Sequence, residues 1–204
     1  MGAMTDDRNG NWFQTYTGKK FFIFAPKPEE VDIQDIAHAL SMQCRFNGHT
    51  NTFYSVAQHS IHVSFIFNKA VQGTTFEESD KAHLCALLHD APEAYLGDMV
   101  RPLKRGLPEY KAVEDIVWKV ILERYGLEEV WPQVEMAVHL ADQVMLATER
   151  RDLLPEAAQR FNGQWDIDEQ HIRPDSIHIN PQPPEKIKQY FLATFHALTS
   201  QVKE

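Results

Sequence analysis

The sequence has little cysteine. Only Cys44 and Cys85 occur in 204 residues, and they form neither a disulfide framework nor a CxxC metal site. Both lie within apolar helical patterns, where cysteine is usually a buried free thiol. We therefore expect a reducing compartment, the cytoplasm.

Long apolar runs are also missing. The longest are only a few residues long, so none could span a bilayer, and we expect no membrane partner. The start MGAMTDDRNGNW lacks the basic and apolar blocks of a signal peptide. Met4 suggests that residues 1–3 are a cloning remnant, and we expect residues 1–11 to be flexible.

Positive charge is scarce as well, with 20 Lys and Arg against 29 Asp and Glu and a formal net charge of -9. Because binding to nucleic acid depends on neutralising phosphates with Lys and Arg, we expect no polymeric nucleic-acid partner. A small phosphorylated substrate fits the composition, because a metal ion and a few local cations can invert the field inside a cleft.

Helical periodicity dominates the chain after residue 28. It predicts helices over about 32–44, 54–70, 77–95, 109–125, 132–154 and 184–199. Asp32 is the expected N-cap of the first helix. In the third, we expect Pro92 to free the Leu88 carbonyl and the helix to kink or restart there.

Segments without this periodicity complete the prediction. The aromatic stretch NWFQTYTGKKFFIF predicts a small β-hairpin. Two segments, GDMVRPLKRGLP and PEAAQRFNGQWDIDEQHIRPDS, are predicted to be irregular. We therefore predict a mainly α fold in one domain over residues 12–204. Its core covers roughly 32–154, and a C-terminal extension covers 155–204.

The pair His89-Asp90 follows the apolar run Leu84–Leu88. Burying an imidazole and a carboxylate there is costly unless they bind something charged or pair with each other. His59 lies on an apolar helical face, and Asp142 has apolar neighbours on both sides in AVHLADQVMLATE. Two imidazoles and two carboxylates would hold one divalent cation and leave positions for water and a phosphate oxygen. The ion could be Mn, Co, Fe, Ni, Zn or Mg.

Each of these residues alone has a structural explanation, since a single buried histidine is more often a hydrogen-bonded core residue than a ligand. Their conjunction favours a metal. We interpret the histidines outside the proposed site as surface or structural, including His62, which is only three residues from His59. We interpret Arg101 as a solvated loop charge and the acidic stretch 109–115 as a solvated face.

The order His59, His89-Asp90, Asp142 along the chain resembles the H…HD…D signature of the HD superfamily of metal-dependent phosphohydrolases. Within it, the chain is similar to bacterial 5′-deoxynucleotidases and phage-type dATP triphosphohydrolases. The shared stretches cover roughly residues 32–150 and read RFNGHTNTFYSVAQHS, LLHDAPEAYLGDMVRPLK, EYKAVE and LADQV. The resemblance implies an HD-domain helical bundle, which forms a homodimer in the family.

The resemblance also implies roles for two acids. Glu93, the acidic residue of HDxxE, would take a proton from the attacking water, and its position four residues after His89 suits that role. Asp98 matches a family acid that positions the nucleophile or assists the leaving group.

Substrate contacts follow from the same resemblance. Lys104 matches a phosphate-binding lysine, and Arg45 and Phe46 match an Arg-aromatic pair that flanks phosphate and nucleoside. His49, in the same loop, would add a donor to the phosphate. The deoxynucleotidases carry Trp where this chain has Phe46, so their base and sugar selectivity is not implied here.

The expected activity is removal of the 5′-phosphate from deoxynucleoside monophosphates. One alternative is a dNTP triphosphohydrolase that releases nucleoside and triphosphate. Another class is a catalytically silent nucleotide sensor, whose mark would be a lost metal ligand or a missing Glu93. A (p)ppGpp or cyclic-dinucleotide hydrolase fits the Gly97-Asp98 and RPLK segments less well.

Overall fold

The computed structural model describes Arg8 and residues 10–77, 79–155 and 165–200. The described chain is mainly α-helical, with one two-stranded antiparallel ribbon near the N-terminus. Both features confirm the predicted fold class. Most of the segment that we expect to be flexible, residues 1–7 and 9, lies outside the described residues.

The helices account for most of the described chain. In chain order they are α1 Ile33–Met42, α2 Val56–Ala70, α3 Asp80–Leu88, α4 Glu93–Leu96, α5 Arg101–Arg105, α6 Pro108–Tyr125, α7 Trp131–Leu153, α8 Asp166–Glu169 and α9 Pro184–Thr199. Short 3-10 turns cover Pro28–Glu30 and Arg45–Gly48.

The ribbon pairs β1 (Phe13–Gln14) with β2 (Lys20–Phe21). It is fixed to α1 because the backbone N–H and the hydroxyl of Thr17 donate to the two oxygens of Asp35, at 2.6 and 2.9 Å. Phe21 is fully buried and stacks on Tyr95, with ring centroids 3.9 Å apart. The predicted hairpin is confirmed.

Side-chain caps decide where the first long helices begin. Asp32 accepts a hydrogen bond from the Gln34 N–H at 2.9 Å, as predicted. Ser55 and Ser79 cap α2 and α3 in the same way. These two helices therefore start two to three residues later than the apolar periodicity alone predicts.

The break near Pro92 occurs as predicted but differs from the prediction in its hydrogen bonding. The helix ends at Leu88 and restarts as α4 at Glu93, which confirms an interruption. The Leu88 carbonyl is not free, however, because it accepts from the Ala91 N–H at 2.8 Å. The chain tightens to an i+3 bond there, so the prediction of a free carbonyl was wrong. His89 and Asp90 lie in this turn.

Two segments predicted to be irregular contain short helices. Helix α5 starts next to Pro102, whose fixed φ suits the first helical turn. Helix α8 lies in the second segment, of which residues 156–164 fall outside the described part of the chain. The prediction was wrong at these two helices because proline and an acidic first turn also favour the start of a helix.

The core forms around α2, which packs against α1, α3, α7 and α9. Large side chains that are fully buried fill it, among them Tyr54, Phe67, Leu87, Ile121, Met145 and Phe191. Because α3 and α7 lie on α2, polar side chains of all three helices can meet at one point. Across the described residues, no helix combines the length and apolar character needed to cross a bilayer.

The predicted C-terminal extension packs on the same helices. Between α8 and α9, the chain is held by hydrogen bonds to α2 and α7. Gln58 donates to the Asn180 carbonyl at 2.9 Å. Asp152 accepts from the Ile179 N–H at 2.9 Å. Helix α9 then packs along α1.

Candidate metal centre

Three of the predicted metal ligands meet where α2 passes the turn after α3. Nε2 of His59 lies 3.3 Å from Nε2 of His89 and 3.4 Å from Oδ2 of Asp90. Nε2 of His89 lies 3.4 Å from the same Asp90 oxygen. These three residues form a group that could hold a metal ion.

Asp142 of α7 borders this group. Its Oδ1 lies 3.3 Å from Nε2 of His59, while its Oδ2 accepts from the Arg101 guanidinium at 2.5 Å. Asp142 is therefore next to the cluster and is held by a cation. The interpretation of Arg101 as a solvated loop charge was wrong, because the helical turn of α5 brings it to Asp142.

The second ring nitrogen of each histidine is engaged elsewhere. Nδ1 of His59 lies 2.7 Å from Oε1 of Glu149, and Nδ1 of His89 lies 2.9 Å from the Ala86 carbonyl. Both partners are acceptors, so each Nδ1 carries the donated hydrogen. When an imidazole is neutral, its Nε2 therefore carries a lone pair that faces the Nε2 of the other histidine and Oδ2 of Asp90.

Such a concentration of lone pairs favours a bound cation. Burial by itself lowers the pKa of the His59 imidazole, but Glu149 and Asp142 outweigh burial and raise it to about 9. Burial opposes ionisation of Asp90 and Asp142, yet the neighbouring histidines and arginines lower the pKa of both carboxyls. Positive charge is therefore favoured at the point where these side chains meet.

The donor atoms fit a divalent metal in type and spacing. Atoms bound about 2.1 Å from a shared ion lie about 3.4 Å apart in a tetrahedral site and about 3.0 Å apart in an octahedral one. The separations within the cluster are 3.3 to 3.4 Å. Imidazole nitrogens together with carboxylate oxygens suit several divalent transition metals.

Glu149 and Arg45 contact the side chains of the cluster and each other. Glu149 is fully buried, and its Oε2 accepts from Nη2 of Arg45 at 3.1 Å. Nη1 of Arg45 lies 3.5 Å from Oδ2 of Asp90. The interpretation of the sequence missed Glu149. A signal existed, because Glu149 follows Asp142 by two helical turns and so lies on the same face of α7.

Glu93, the predicted proton acceptor, carries a buried carboxyl group. It is 5% exposed, and its Oε2 has no hydrogen-bond partner among the described residues. Burial raises the pKa of the Glu93 carboxyl well above its usual range, and the charges of Asp90 and Asp98 add to the shift. Nζ of Lys104 lies 4.0 Å from its Oε1.

Asp98 is placed by the turn after α4. Its backbone N–H donates to Oε1 of Gln43 at 3.0 Å, and Nε2 of Gln43 donates to the Glu93 carbonyl at 2.9 Å. Gln43 thus holds the backbones of both predicted acids next to the end of α1. Its role was not predicted from the sequence. Burial raises the pKa of Asp98, and the Asp90 charge adds to this.

Lys104 is paired with an acid of α6. Its Nζ lies 2.5 Å from Oε1 of Glu114, which is only 8% exposed. The prediction that the acidic stretch 109–115 forms a solvated face was therefore wrong for Glu114. Helix α5 packs against α6 and covers this residue, while Glu109 is exposed.

The loop after α1 places Phe46 beside Arg45, with Cζ of the guanidinium 5.5 Å from the ring centroid. Phe46 adopts a left-handed φ of 55°, which is uncommon for a residue with a side chain. Its ring lies 6.5 Å from that of Trp165. His49 is exposed, and no described contact joins its side chain to the candidate metal centre.

A cleft of about 490 Å³ opens beside the cluster. Its inner end is lined by His89, Asp90 and Asp142, and its outer part by the first turns of α7. None of the predicted substrate-binding residues lines it. The outer residues are Trp131, Glu135, Met136, Val138 and His139.

Two bacterial proteins are similar to this chain. Uncharacterized protein YfdR of Escherichia coli K12 is 44% identical over 143 residues, which cover 70% of this chain and 72% of YfdR. The chain belongs to the YfdR family. Uncharacterized protein RCAP_rcc00048 of Rhodobacter capsulatus is 33% identical over 194 residues, or 92% of this chain and 95% of that protein. No family model matches the chain. Neither relative's name gives an activity, so YfdR family membership by itself assigns none.

Proposed function

We propose that this protein is an HD-type metal-dependent phosphohydrolase that removes the 5′-phosphate from deoxynucleoside monophosphates. One observation carries the proposal. Nε2 of His59, Nε2 of His89 and Oδ2 of Asp90 converge at 3.3 to 3.4 Å, while both Nδ1 atoms donate elsewhere. The order of the H…HD…D residues along the chain supports it.

His59, His89 and Asp90 would hold the metal, with Asp142 as the fourth ligand. Asp142 would keep Oδ2 on Arg101 and offer Oδ1, which faces His59. A divalent cation held there supplies a Lewis acid and lowers the pKa of water. Because the two carboxylates balance the charge of such an ion, the shell would be neutral.

Glu93 would take the proton from the attacking water. Burial raises the pKa of its carboxyl, and its Oε2 has no hydrogen-bond partner among the described residues, so this oxygen could accept a hydrogen bond from the water. Asp98, also with a raised pKa, would assist at the leaving oxygen. The new bond joins the water oxygen to phosphorus, the bond from phosphorus to the 5′ oxygen breaks, and that oxygen takes up a proton.

Arg45 and Lys104 would stabilise the phosphoryl oxygens. Both already contact carboxylates, Arg45 at Glu149 and Asp90, and Lys104 at Glu114. A phosphate at Lys104 would therefore compete with Glu114. Because these two cations already contact carboxylates, we infer that the site favours a monophosphate over the more highly charged triphosphate chain.

A hydrolysis panel tests the proposal. Metal-stripped protein is reloaded with Mn, Co, Fe, Ni, Zn or Mg and assayed on deoxynucleoside and nucleoside monophosphates and on dNTPs. Orthophosphate and triphosphate release are scored separately. We expect orthophosphate from deoxynucleoside monophosphates. Triphosphate release from dNTPs would contradict the monophosphatase activity and support the dNTP triphosphohydrolase alternative. No turnover of any nucleotide with any metal would contradict the enzymatic proposal.

The homodimer and the cytoplasmic location stay predictions from the sequence. Size-exclusion chromatography with light scattering checks the first, with about twice the 23.5 kDa chain mass expected.

A further inference from the structure

One face of α7 leads from the protein surface to the metal centre. Trp131, Glu135, His139 and Asp142 follow at helical spacing and all line the cleft. At 1.5 Å per residue this stripe is about 16 Å long. Asp142, at its inner end, lies 3.3 Å from His59. A substrate whose phosphate is at the metal centre could therefore extend along this face.

The outer part of the cleft has an apolar side. The indole of Trp131 packs edge-on against Trp118, with ring centroids 4.9 Å apart, so its position is fixed. Met136 is 88% exposed although its side chain is apolar. Ligand sites combine such apolar surface with a few polar groups. The rigid indole of Trp131 and the adaptable thioether of Met136 are suited to contact a ligand with a flat aromatic ring.

Glu135 is the acidic side chain on the outer wall, and it is exposed to the cleft. An ionised carboxylate only accepts hydrogen bonds. The exocyclic amino group of adenine or cytosine would donate to it. The imide N–H of thymine is flanked by two carbonyl oxygens, which a carboxylate repels. Glu135 is therefore suited to discriminate between these bases.

We propose that the wall formed by Trp131, Glu135, Met136 and His139 binds the nucleobase of the substrate, and that Glu135 selects bases with an exocyclic amino group. This inference rests on the proposed function, because it places the phosphate at the metal centre. It assigns base recognition to α7, whereas the phosphate contacts come from Arg45 and Lys104.

Kinetics with dAMP and dTMP test the assignment. The wild type should prefer dAMP, and Glu135→Gln should reduce the ratio of the two kcat/KM values about tenfold, chiefly through KM. Glu128→Gln is the matched control, because Glu128 is exposed just before α7 but does not line the cleft. Met136→Ala should lower kcat/KM about threefold for both dAMP and dTMP and leave the ratio of the two values unchanged. A ratio that stays the same in Glu135→Gln would overturn the inference.

Binding of deoxynucleosides gives a second readout that needs no turnover. By calorimetry, deoxyadenosine should bind the wild type more tightly than thymidine, and Glu135→Gln should remove the difference. If nucleotides are hydrolysed but this difference is absent, the base site is wrong and the proposed function stands. If deoxyadenosine binds in a Glu135-dependent way but no nucleotide is hydrolysed, the base site stands and the proposed function is wrong.

Discussion

Nδ1 of His59 lies 2.7 Å from Oε1 of Glu149, and neither side chain is exposed to solvent. This contact fixes the orientation of the imidazole and directs its Nε2 toward His89 and Asp90. The second oxygen of Glu149 accepts from Arg45, which also reaches Asp90. One buried glutamate thus contacts both a candidate metal ligand, His59, and a cation, Arg45.

Replacing Glu149 should weaken metal binding. Partners that orient a ligating histidine typically contribute 10- to 100-fold in metal affinity, so we expect about this loss in Glu149→Ala. Glu149→Gln keeps an oxygen acceptor for His59 and should therefore lose less metal affinity than Glu149→Ala. Calorimetric titration with Mn or Zn measures both, with Glu123→Ala on the exposed face of α6 as control. Unchanged affinity in a folded Glu149→Ala protein would show that the contact is only structural.

Glu93→Gln should separate catalysis from metal binding. Removing an acid-base residue typically lowers kcat by about 10²- to 10⁴-fold. Metal stoichiometry should stay at the wild-type value, because Glu93 is not one of the proposed ligands. The exposed Glu109→Gln provides the control. Wild-type kcat in the Glu93→Gln protein would refute its role as the base.

Gly97 holds the turn that positions Asp98. Its φ of 87° and ψ of 152° are essentially restricted to glycine. Gly97→Ala should therefore lower the free energy of unfolding by about 1 to 3 kcal/mol and reduce turnover by displacing Asp98. Gly106 has a helical φ of -80°, and an added Cβ there meets atoms only at 3.5 Å or more. Gly106→Ala should be close to neutral in urea unfolding, and equal effects of the two substitutions would contradict this account.

His62 should make stability depend on pH. Burial lowers the pKa of its imidazole to about 4, and the charge of His59 adds to this. Because the folded value is below the unfolded one of about 6.5, stability is fully present above pH 6.5 and is lost as the pH falls toward 4.

Urea unfolding at pH 7, 6 and 5 measures this effect. From pH 7 to pH 5, the wild type should lose about 1 to 2 kcal/mol more than His62→Gln. The control is His178→Gln, because the side chain of His178 is 85% exposed. It should follow the wild type. A parallel pH dependence of wild type and His62→Gln would refute the assignment.

Local signals in the sequence predicted most of the fold. Apolar periodicity identified α1, α2, α6, α7 and α9, and Asp32 capped α1 as its residue type suggests. The short helices α5 and α8 were missed because four or five residues carry too little periodicity. The start of α2 and α3 depended on serine caps, which periodicity does not register.

The candidate site was predictable where residue type determines the chemistry. Histidine and aspartate beside apolar runs pointed to His59, His89 and Asp90, which do converge. Contacts between distant segments could not be read in this way. The sequence gives no local sign that Arg101 pairs with Asp142 or Lys104 with Glu114, because both pairs depend on how α5 packs.

The metal content of His89→Ala compared with the wild type tests the central claim most directly. Each purified protein is stripped, reloaded with Mn or Zn, desalted and measured by inductively coupled plasma mass spectrometry. His178→Ala serves as the matched histidine control. We predict one ion per chain in the wild type and in His178→Ala, and none in His89→Ala, with all three folded by circular dichroism. No bound ion in the wild type, or one ion per chain retained in His89→Ala, would contradict the account.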